Sequence, residues 1–220
     1  MNSVYLIIPA FNESRRIESV LRGVKKYTNK IIVVNDGSTD RTANIAGKYT
    51  KWVVNHKINL GKGAAIVSGC ELAFGKLGAN WVILMDGDGQ HLPKDLPKFF
   101  ALIKEKPMLI FGIRRLDSSM PKIRVYLNKL TSLLTKLAFG TYMEDILCGF
   151  RAVSRQAFKR LKLESSSYEI EMEMAVKASQ SRIPYETVVI ETIYHPTDKG
   201  MNGIHALSVW GKLLSWKIGL

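Results

Sequence analysis

In Trp81-Val-Ile-Leu-Met-Asp86-Gly-Asp88-Gly-Gln90-His91-Leu-Pro93, five apolar residues run directly into two carboxylates separated by one glycine. The apolar run has strand length and carries β-branched residues, which reads as a buried strand. Alternate side chains of an extended segment share a face, so Asp86 and Asp88 can address one ligand where the backbone leaves the sheet. Hard oxygen donors suit Mg²⁺ or Mn²⁺, and Mg²⁺ commonly takes one or two carboxylates together with phosphates. An acidic turn is the plainer alternative, because Asp-Gly is a common turn dipeptide.

Working outward, the first half alternates strand and helix. Strands are expected at Val4–Ile8, Lys30–Asn35, Trp52–Asn55, Trp81–Met85 and Met108–Gly112. Helices are expected over Arg15–Tyr27, where Ile17, Val20, Leu21 and Val24 share a face, over a stretch capped by Asp40 and running through Tyr49, over Ala64–Phe74, and over Pro93–Lys104. This alternation predicts an α/β fold with a parallel, doubly wound sheet. Ligands of such sheets sit beyond the carboxyl ends of the strands. Those five ends read Pro9-Ala-Phe-Asn12-Glu13, Asp36-Gly-Ser38, Asn59-x-Gly61-x-Gly63, Asp86-Gly-Asp88-Gly-Gln90 and Gly112-Ile-Arg114-Arg115. Turns alone explain one or two polar, glycine-bearing ends. Five on one rim read as a nucleotide–diphosphate–metal site. Gly61-Lys62-Gly63 is neither a P-loop nor a dinucleotide fingerprint, because the spacings of both are absent.

The 220 residues suffice for one domain with an appendage, and a composition of 46% hydrophobic and 23% charged residues is that of a globular chain. Cys70 and Cys148 do not suggest a disulfide framework. No signal peptide is expected, because Met1–Pro9 is a short apolar run without a basic leader, and no apolar window is long enough for a membrane span. The net charge of +13 fits nucleic acid, an anionic membrane surface or phosphorylated small molecules. Nucleic acid is disfavoured, because the basic residues fall on amphipathic stretches and are not interleaved with exposed aromatics.

Pro9-Ala-Phe-Asn12-Glu13, Asp36-Gly-Ser-x-Asp40-x-Thr42, Asn59-x-Gly-x-Gly63-x-Ala65 and Asp86-x-Asp88-x-Gln90-His91-x-Pro93 occur in order at consistent intervals. Together they resemble the family 2 glycosyltransferases of GT-A fold, a Rossmann-like, mostly parallel sheet flanked by helices. The last motif is similar to that of dolichol-phosphate mannose synthases and related polyprenyl-phosphate sugar transferases. The resemblance implies that Pro9, Ala10 and Glu13 line a nucleoside pocket and that Asp36 recognises the base. Asp86, with Gly87 after it, lies near the nucleoside and diphosphate; Asp88 and Gln90 hold Mg²⁺ or Mn²⁺; and Arg114 faces the donor phosphates. It implies a glycosyltransferase domain over 1–195, with a nucleotide-sugar half at 1–115 and an acceptor half at 116–195.

In the second half, Pro121–Phe139 reads as a cationic amphipathic helix. Leu127, Leu130, Leu133, Leu134, Leu137 and Ala138 fall on one face; Lys129, Ser132 and Lys136 fall on the other. His205–Leu220 repeats the pattern, and 196–220 reads as a loop followed by an interfacial helix. Both favour a peripheral position on the cytoplasmic face of an anionic membrane. Glu144-Asp-Ile-Leu-Cys148-Gly-Phe-Arg151 resembles the family's segment near the reaction centre, with Cys148 as an inert thiol. Ser166 and Glu169 form the pattern of a capping box. Glu171 and Glu173 read mainly as an exposed acidic face, and Lys199 is the candidate for a basic residue closing over the donor phosphates.

The implied reaction is inverting transfer of a sugar, with mannose from GDP-mannose the leading donor, to dolichyl or polyprenyl phosphate. A phosphate acceptor with its second pKa near ~6 is already a nucleophile. It needs cations, for which Arg124 and Arg151 are candidates. The alternatives are UDP-glucose or another UDP-sugar as donor, and a hydroxyl acceptor with Asp145 as its base.

Overall fold

In the computed structural model, which describes residues 3–105, 107–114, 122–140, 142–194 and 211, the core is one sheet. Its strands are β1 (Val4–Ala10), β2 (Ile31–Asn35), β3 (Trp52–Asn55), β4 (Trp81–Leu84), β5 (Leu109–Arg114), β6 (Arg151–Ser154) and β7 (Tyr185–Ile190). They lie in the order β3-β2-β1-β4-β6-β5-β7. Every pairing is parallel except those of β6, which runs antiparallel to both β4 and β5. The α/β, mostly parallel sheet expected from the sequence is therefore present, with an antiparallel strand inserted beside β4.

The period-2 geometry of the strands explains why the apolar runs are continuous. Tyr5 and Ile7 of β1 and Val82 and Leu84 of β4 enter one core, while Leu6, Ile8, Trp81 and Ile83 enter the other. A sheet covered on both faces needs apolar residues at every position. Helices α1 (Ile17–Val24) and α4 (Leu96–Lys104) cover one face; α3 (Lys62–Glu71), α6 (Arg155–Leu161) and α7 (Ile170–Gln180) cover the other. Ile17, Val20, Leu21 and Val24 are all buried, and each such side chain contributes about 1.5–3 kcal/mol. Gly69 of α3 lets that helix approach β1 closely, since a Cβ there would lie 2.6 Å from Ile7 Cγ2.

Several elements differ from expectation. α2 is only Thr42–Ala46, although Asp40 does accept the Thr42 N–H at its start. α3 continues as one π turn over Leu72–Lys76, and Pro93–Asp95 forms a 3₁₀ turn before α4. The capping box does not form: Glu169 precedes α7 without a side-chain cap. Instead Glu173 accepts the N–H groups of Glu164 and Ser165, both at 2.9 Å, and pairs with Lys177 at 2.6 Å. Glu171 and Glu173 are buried, so the exposed acidic face is a misreading.

The helix α5 (Lys122–Phe139) departs from expectation in part: Leu134 and Ala138 pack on the core and Lys129 and Lys136 face outward as expected, but other positions exchange faces. Asn128, Thr131, Ser132 and Thr135 are buried, whereas Leu133 and Leu137 are 49% and 72% exposed. Three of the polar residues are satisfied, because Thr131 and Thr135 donate to the carbonyls of Leu127 and Thr131, both at 2.8 Å, and Asn128 donates to Glu144 O. The outward face combines Ile123, Tyr126, Leu133 and Leu137 with Lys122, Lys129 and Lys136. No described helix is long and apolar enough to cross a membrane. Arg115, Lys199 and the expected helix His205–Leu220 lie outside the described residues, Gly211 apart, as does the Arg124 side chain.

Candidate active site

The carboxyl ends of β1 and β2 are stitched together by side chains. Asn12 N–H donates to Ser38 Oγ (2.9 Å), Thr39 N–H to Asn12 Oδ1 (2.9 Å), Glu13 N–H to Thr42 Oγ1 (2.8 Å) and Ser14 N–H to Asp40 Oδ2 (3.0 Å). Glu13 is thereby held at the rim beside Pro9 and Ala10. Gly87 lies over the same strand end: a Cβ there would sit 3.1 Å from Pro9 O and 3.4 Å from Ala10 Cβ. The Asp86–Asp88 turn is thus packed against the Pro9-Ala10 step.

Asp36 is buried, and its carboxylate is enclosed. Oδ1 takes His56 Nδ1 at 2.6 Å and the Leu60 N–H at 2.9 Å; Oδ2 takes the Gly61 N–H at 2.8 Å. His56 Nε2 meets Ser68 Oγ at 3.0 Å. In this geometry Asp36 organises the Asn59–Gly61 loop. Gly61 adopts φ +96°, and Cβ atoms on Gly61 and Gly63 would lie 2.3 and 2.2 Å from the carbonyl oxygens of Ser166 and Ser165. Both glycines are needed because this loop passes directly under another backbone.

That loop delivers Lys62. Its Nζ lies 2.6 Å from Asp86 Oδ1 and 2.6 Å from Glu171 Oε1. Gly149 closes over the pair, since a Cβ there would lie 2.8 Å from Lys62 Nζ and 2.9 Å from Asp86 Oδ2. Burial works against the Lys62 charge, but Asp86 and Glu171 outweigh it and hold the ammonium above its ordinary range. Burial likewise opposes the Asp86 charge, and Lys62, His91 and Arg114 overcome it. Asp88 behaves oppositely: burial and the neighbouring Asp86 charge both push its carboxyl up. Asp88 Oδ1 accepts the Gln90 N–H at 2.9 Å.

His91 braces the turn from below. Its Nδ1 accepts the Asp86 N–H at 3.3 Å, and its ring stacks on Phe150, which stacks on Phe99. Tyr168 stands beside the cluster with its side chain partly open to solvent; burial raises its phenol, with the charges of Lys62, Asp86, Glu171 and Asp88 all felt there.

Arg114 leaves the end of β5 and is held by Asp145, with Nε–Oδ2 and Nη2–Oδ1 both 2.7 Å. Asp145 is fully enclosed. Arg151 is not brought to the rim: its Nε, Nη1 and Nη2 donate to the carbonyls of Cys148, Glu171 and Ile146 at 2.6–2.7 Å, over the Phe111 ring. Each of its three nitrogens donates to a backbone carbonyl, so this buried arginine fastens β6 to α7. Cys148 is buried, with its thiol pushed up to about 12 by burial and by Asp145, as expected of an inert thiol.

Pro9, Ala10, Glu13, Asp86, Gly87, Asp88, Gln90 and Arg114 therefore border one rim region, and Asp36, Asp145 and Arg151 support it from within. Lys62, Gly149 and Tyr168 join it without having been assigned a role from sequence. Among the described residues no three His, Cys, Asp or Glu side chains form a metal-ligating cluster.

Residues 5–162 match the family model described as glycosyl transferase family 2. The chain belongs to that family. It is a glycosyltransferase with the sheet and the ordered rim motifs of the group. Over 243 residues it is 30% identical to the UDP-N-acetylglucosamine–dolichyl-phosphate N-acetylglucosaminyltransferase of Methanococcus voltae, covering 98% of this chain and 96% of that one. It is 26% identical to the dolichol-phosphate mannosyltransferase of Pyrococcus furiosus, covering 82% of this chain and 54% of that one. Among solved structures it shares its fold with the glucosyl-3-phosphoglycerate synthase of Mycobacterium tuberculosis in complex with Mn²⁺, uridine diphosphate and glucosyl-3-phosphoglycerate. The TM-score is 0.76 at 20% identity, covering 100% of this chain and 81% of that one.

Proposed function

We propose that this glycosyltransferase moves a sugar, with inversion, from a nucleoside-diphosphate donor to dolichyl or polyprenyl phosphate at a membrane surface. The observation that carries the reading is the Asp86–Asp88 turn, seated by Gly87 on Pro9-Ala10 and flanked by Lys62 and Arg114 at the carboxyl edge of the sheet. Pro9, Ala10 and Glu13 border the nucleoside side of that edge. Two cations beside it suit a diphosphate leaving group.

A divalent metal fits this donor set. Asp88 carries a carboxylate charge that its surroundings oppose, and a cation there would relieve it. Asp88 and Gln90 would hold Mg²⁺ or Mn²⁺, with the remaining ligands from the donor phosphates. Its chemistry is neutralisation of the charge that develops on the leaving diphosphate.

The engagement of Asp145 supports a phosphate acceptor. Asp145, the base that a hydroxyl acceptor would use, has both oxygens on Arg114. A phosphate acceptor is already ionised and needs no such base. With Arg151 engaged internally, the cations for the acceptor phosphate fall to Arg124 and the lysines of α5. Lys199 keeps its proposed part at the donor phosphates. The outward face of α5, apolar and lysine-bearing, supports contact with an anionic membrane. A position on the cytoplasmic face is part of this reading.

For the donor, the full-length similarity to an enzyme named for UDP-N-acetylglucosamine favours a uridine diphosphate sugar over GDP-mannose. Calorimetric titration with UDP and with GDP, in Mn²⁺ and then in chelator, tests the donor half. Metal-dependent UDP binding supports the reading, GDP binding restores mannose as the first candidate, and binding of neither refutes the site.

A further inference from the structure

Lys62 occupies an unusual position. A single ammonium sits 2.6 Å from carboxylates contributed by β4's exit turn and by α7. Asp86 and Glu171 therefore face each other across the point that Nζ fills. Glu171 is buried on α7, and its backbone is tied down by Arg151 Nη1 at 2.6 Å from its carbonyl oxygen. The roof is fixed as well, since Gly149 leaves space for Nζ and Asp86 but none for a side chain. The lysine is placed by a glycine on each side, both pressed against the backbone at 165–167. Without its ammonium, two carboxylates would converge on one point beside Asp88, an arrangement of oxygen donors suited to a divalent cation.

We propose that Lys62 is a built-in counter-ion that makes divalent-metal binding depend on the nucleotide diphosphate. This rests on the donor site proposed above and assigns Lys62 as its positioning residue. With Lys62 in place, Asp86 is neutralised and Asp88 alone offers an uncompensated charge, so the bare protein holds a divalent ion weakly. A diphosphate brings its own negative oxygens, gives the ammonium a new partner, and supplies the ligands that the protein lacks.

The test measures Mn²⁺ binding by the electron paramagnetic resonance of the free ion, with and without UDP or GDP. Wild-type protein is expected to bind Mn²⁺ at least tenfold more tightly with the matching nucleotide than alone. Lys62→Met, shown to be folded by its melting curve, is expected to bind Mn²⁺ alone at least tenfold more tightly than wild type and to lose most of the nucleotide enhancement. Lys62→Arg, which keeps the charge, should behave like wild type. Wild-type protein that binds Mn²⁺ equally well without nucleotide overturns the proposal without recourse to any variant. A folded Lys62→Met protein with unchanged Mn²⁺ affinity and intact enhancement overturns the role of Lys62 alone. Absence of nucleotide-linked Mn²⁺ binding in wild type and variants together refutes the donor site and this inference with it.

Discussion

Arg114 and Asp145 are joined at three points: Nε to Oδ2 and Nη2 to Oδ1 at 2.7 Å, and the Arg114 peptide N–H to Oδ2 at 3.0 Å. Burial works against the Arg114 charge, and Asp145 more than restores it. The carboxylate therefore aims a guanidinium at the rim. Asp145→Asn should destabilise the fold by about 3–5 kcal/mol, because it strands a buried charge. It should weaken nucleotide binding while leaving the shape of the pH–rate profile unchanged. Urea denaturation and a pH series on the variant check both; loss of one limb of the profile would make Asp145 a base after all.

Gly149→Ala separates site from scaffold. The new methyl meets the tips of Lys62 and Asp86, which can shift without disturbing the backbone. The melting temperature should change little. Turnover should fall about tenfold or more, equivalent to ~1.4 kcal/mol in the barrier. An unaltered rate would show that the Lys62–Asp86 geometry is irrelevant to transfer.

Glu173 gives a pH signature remote from the rim. Burial raises its carboxyl, but the Lys177 ammonium and the Ser165 and Glu164 N–H groups outweigh that and hold it below its ordinary 4.5. A depressed folded pKa stabilises above the unfolded value and loses that contribution as pH falls through the folded one. Glu173→Gln should cost about 1–3 kcal/mol at neutral pH. The gap between wild type and variant should narrow only below about pH 4.5, which denaturation at stepped pH will show.

Reversing Lys129 and Lys136 to Glu on the outer face of α5 should reduce binding to phosphatidylserine vesicles by about tenfold or more, at ~1 kcal/mol per basic residue. Leu137→Glu should act in the same direction with less salt dependence. Co-sedimentation at two ionic strengths measures this. Undiminished binding would move the membrane contact elsewhere.

The strands β1 to β5 and their rim motifs were legible because both faces of the sheet are covered, which leaves uninterrupted apolar runs punctuated by glycine and charge. The strand β6 was hidden: Arg151-Ala-Val-Ser154 is short and begins with a charge whose carbonyl partners no local pattern reveals. Periodicity located α5 but did not show that Thr131, Ser132 and Thr135 face inward while Leu133 and Leu137 face outward, since back-bonded threonines can be buried as readily as leucines. Asp36 and Arg151 carried the right motifs, yet Asp36 is held by the segment from His56 to Gly61 and Arg151 by the carbonyls of Ile146, Cys148 and Glu171, which leaves both inside. Lys62 sat in plain view between two glycines. Its significance depends on Asp86 and Glu171, which only folding brings together.

The most direct test is transfer of radiolabelled sugar from UDP-N-acetylglucosamine, UDP-glucose and GDP-mannose to a short polyprenyl phosphate, with the corresponding polyprenol in parallel, in Mn²⁺ or Mg²⁺ and in chelator. Organic-extractable product is expected from one donor, only with the phosphate acceptor, lost in chelator and in Asp88→Asn. Label on the polyprenol but not on the polyprenyl phosphate, or transfer indifferent to chelator, would contradict the proposed function.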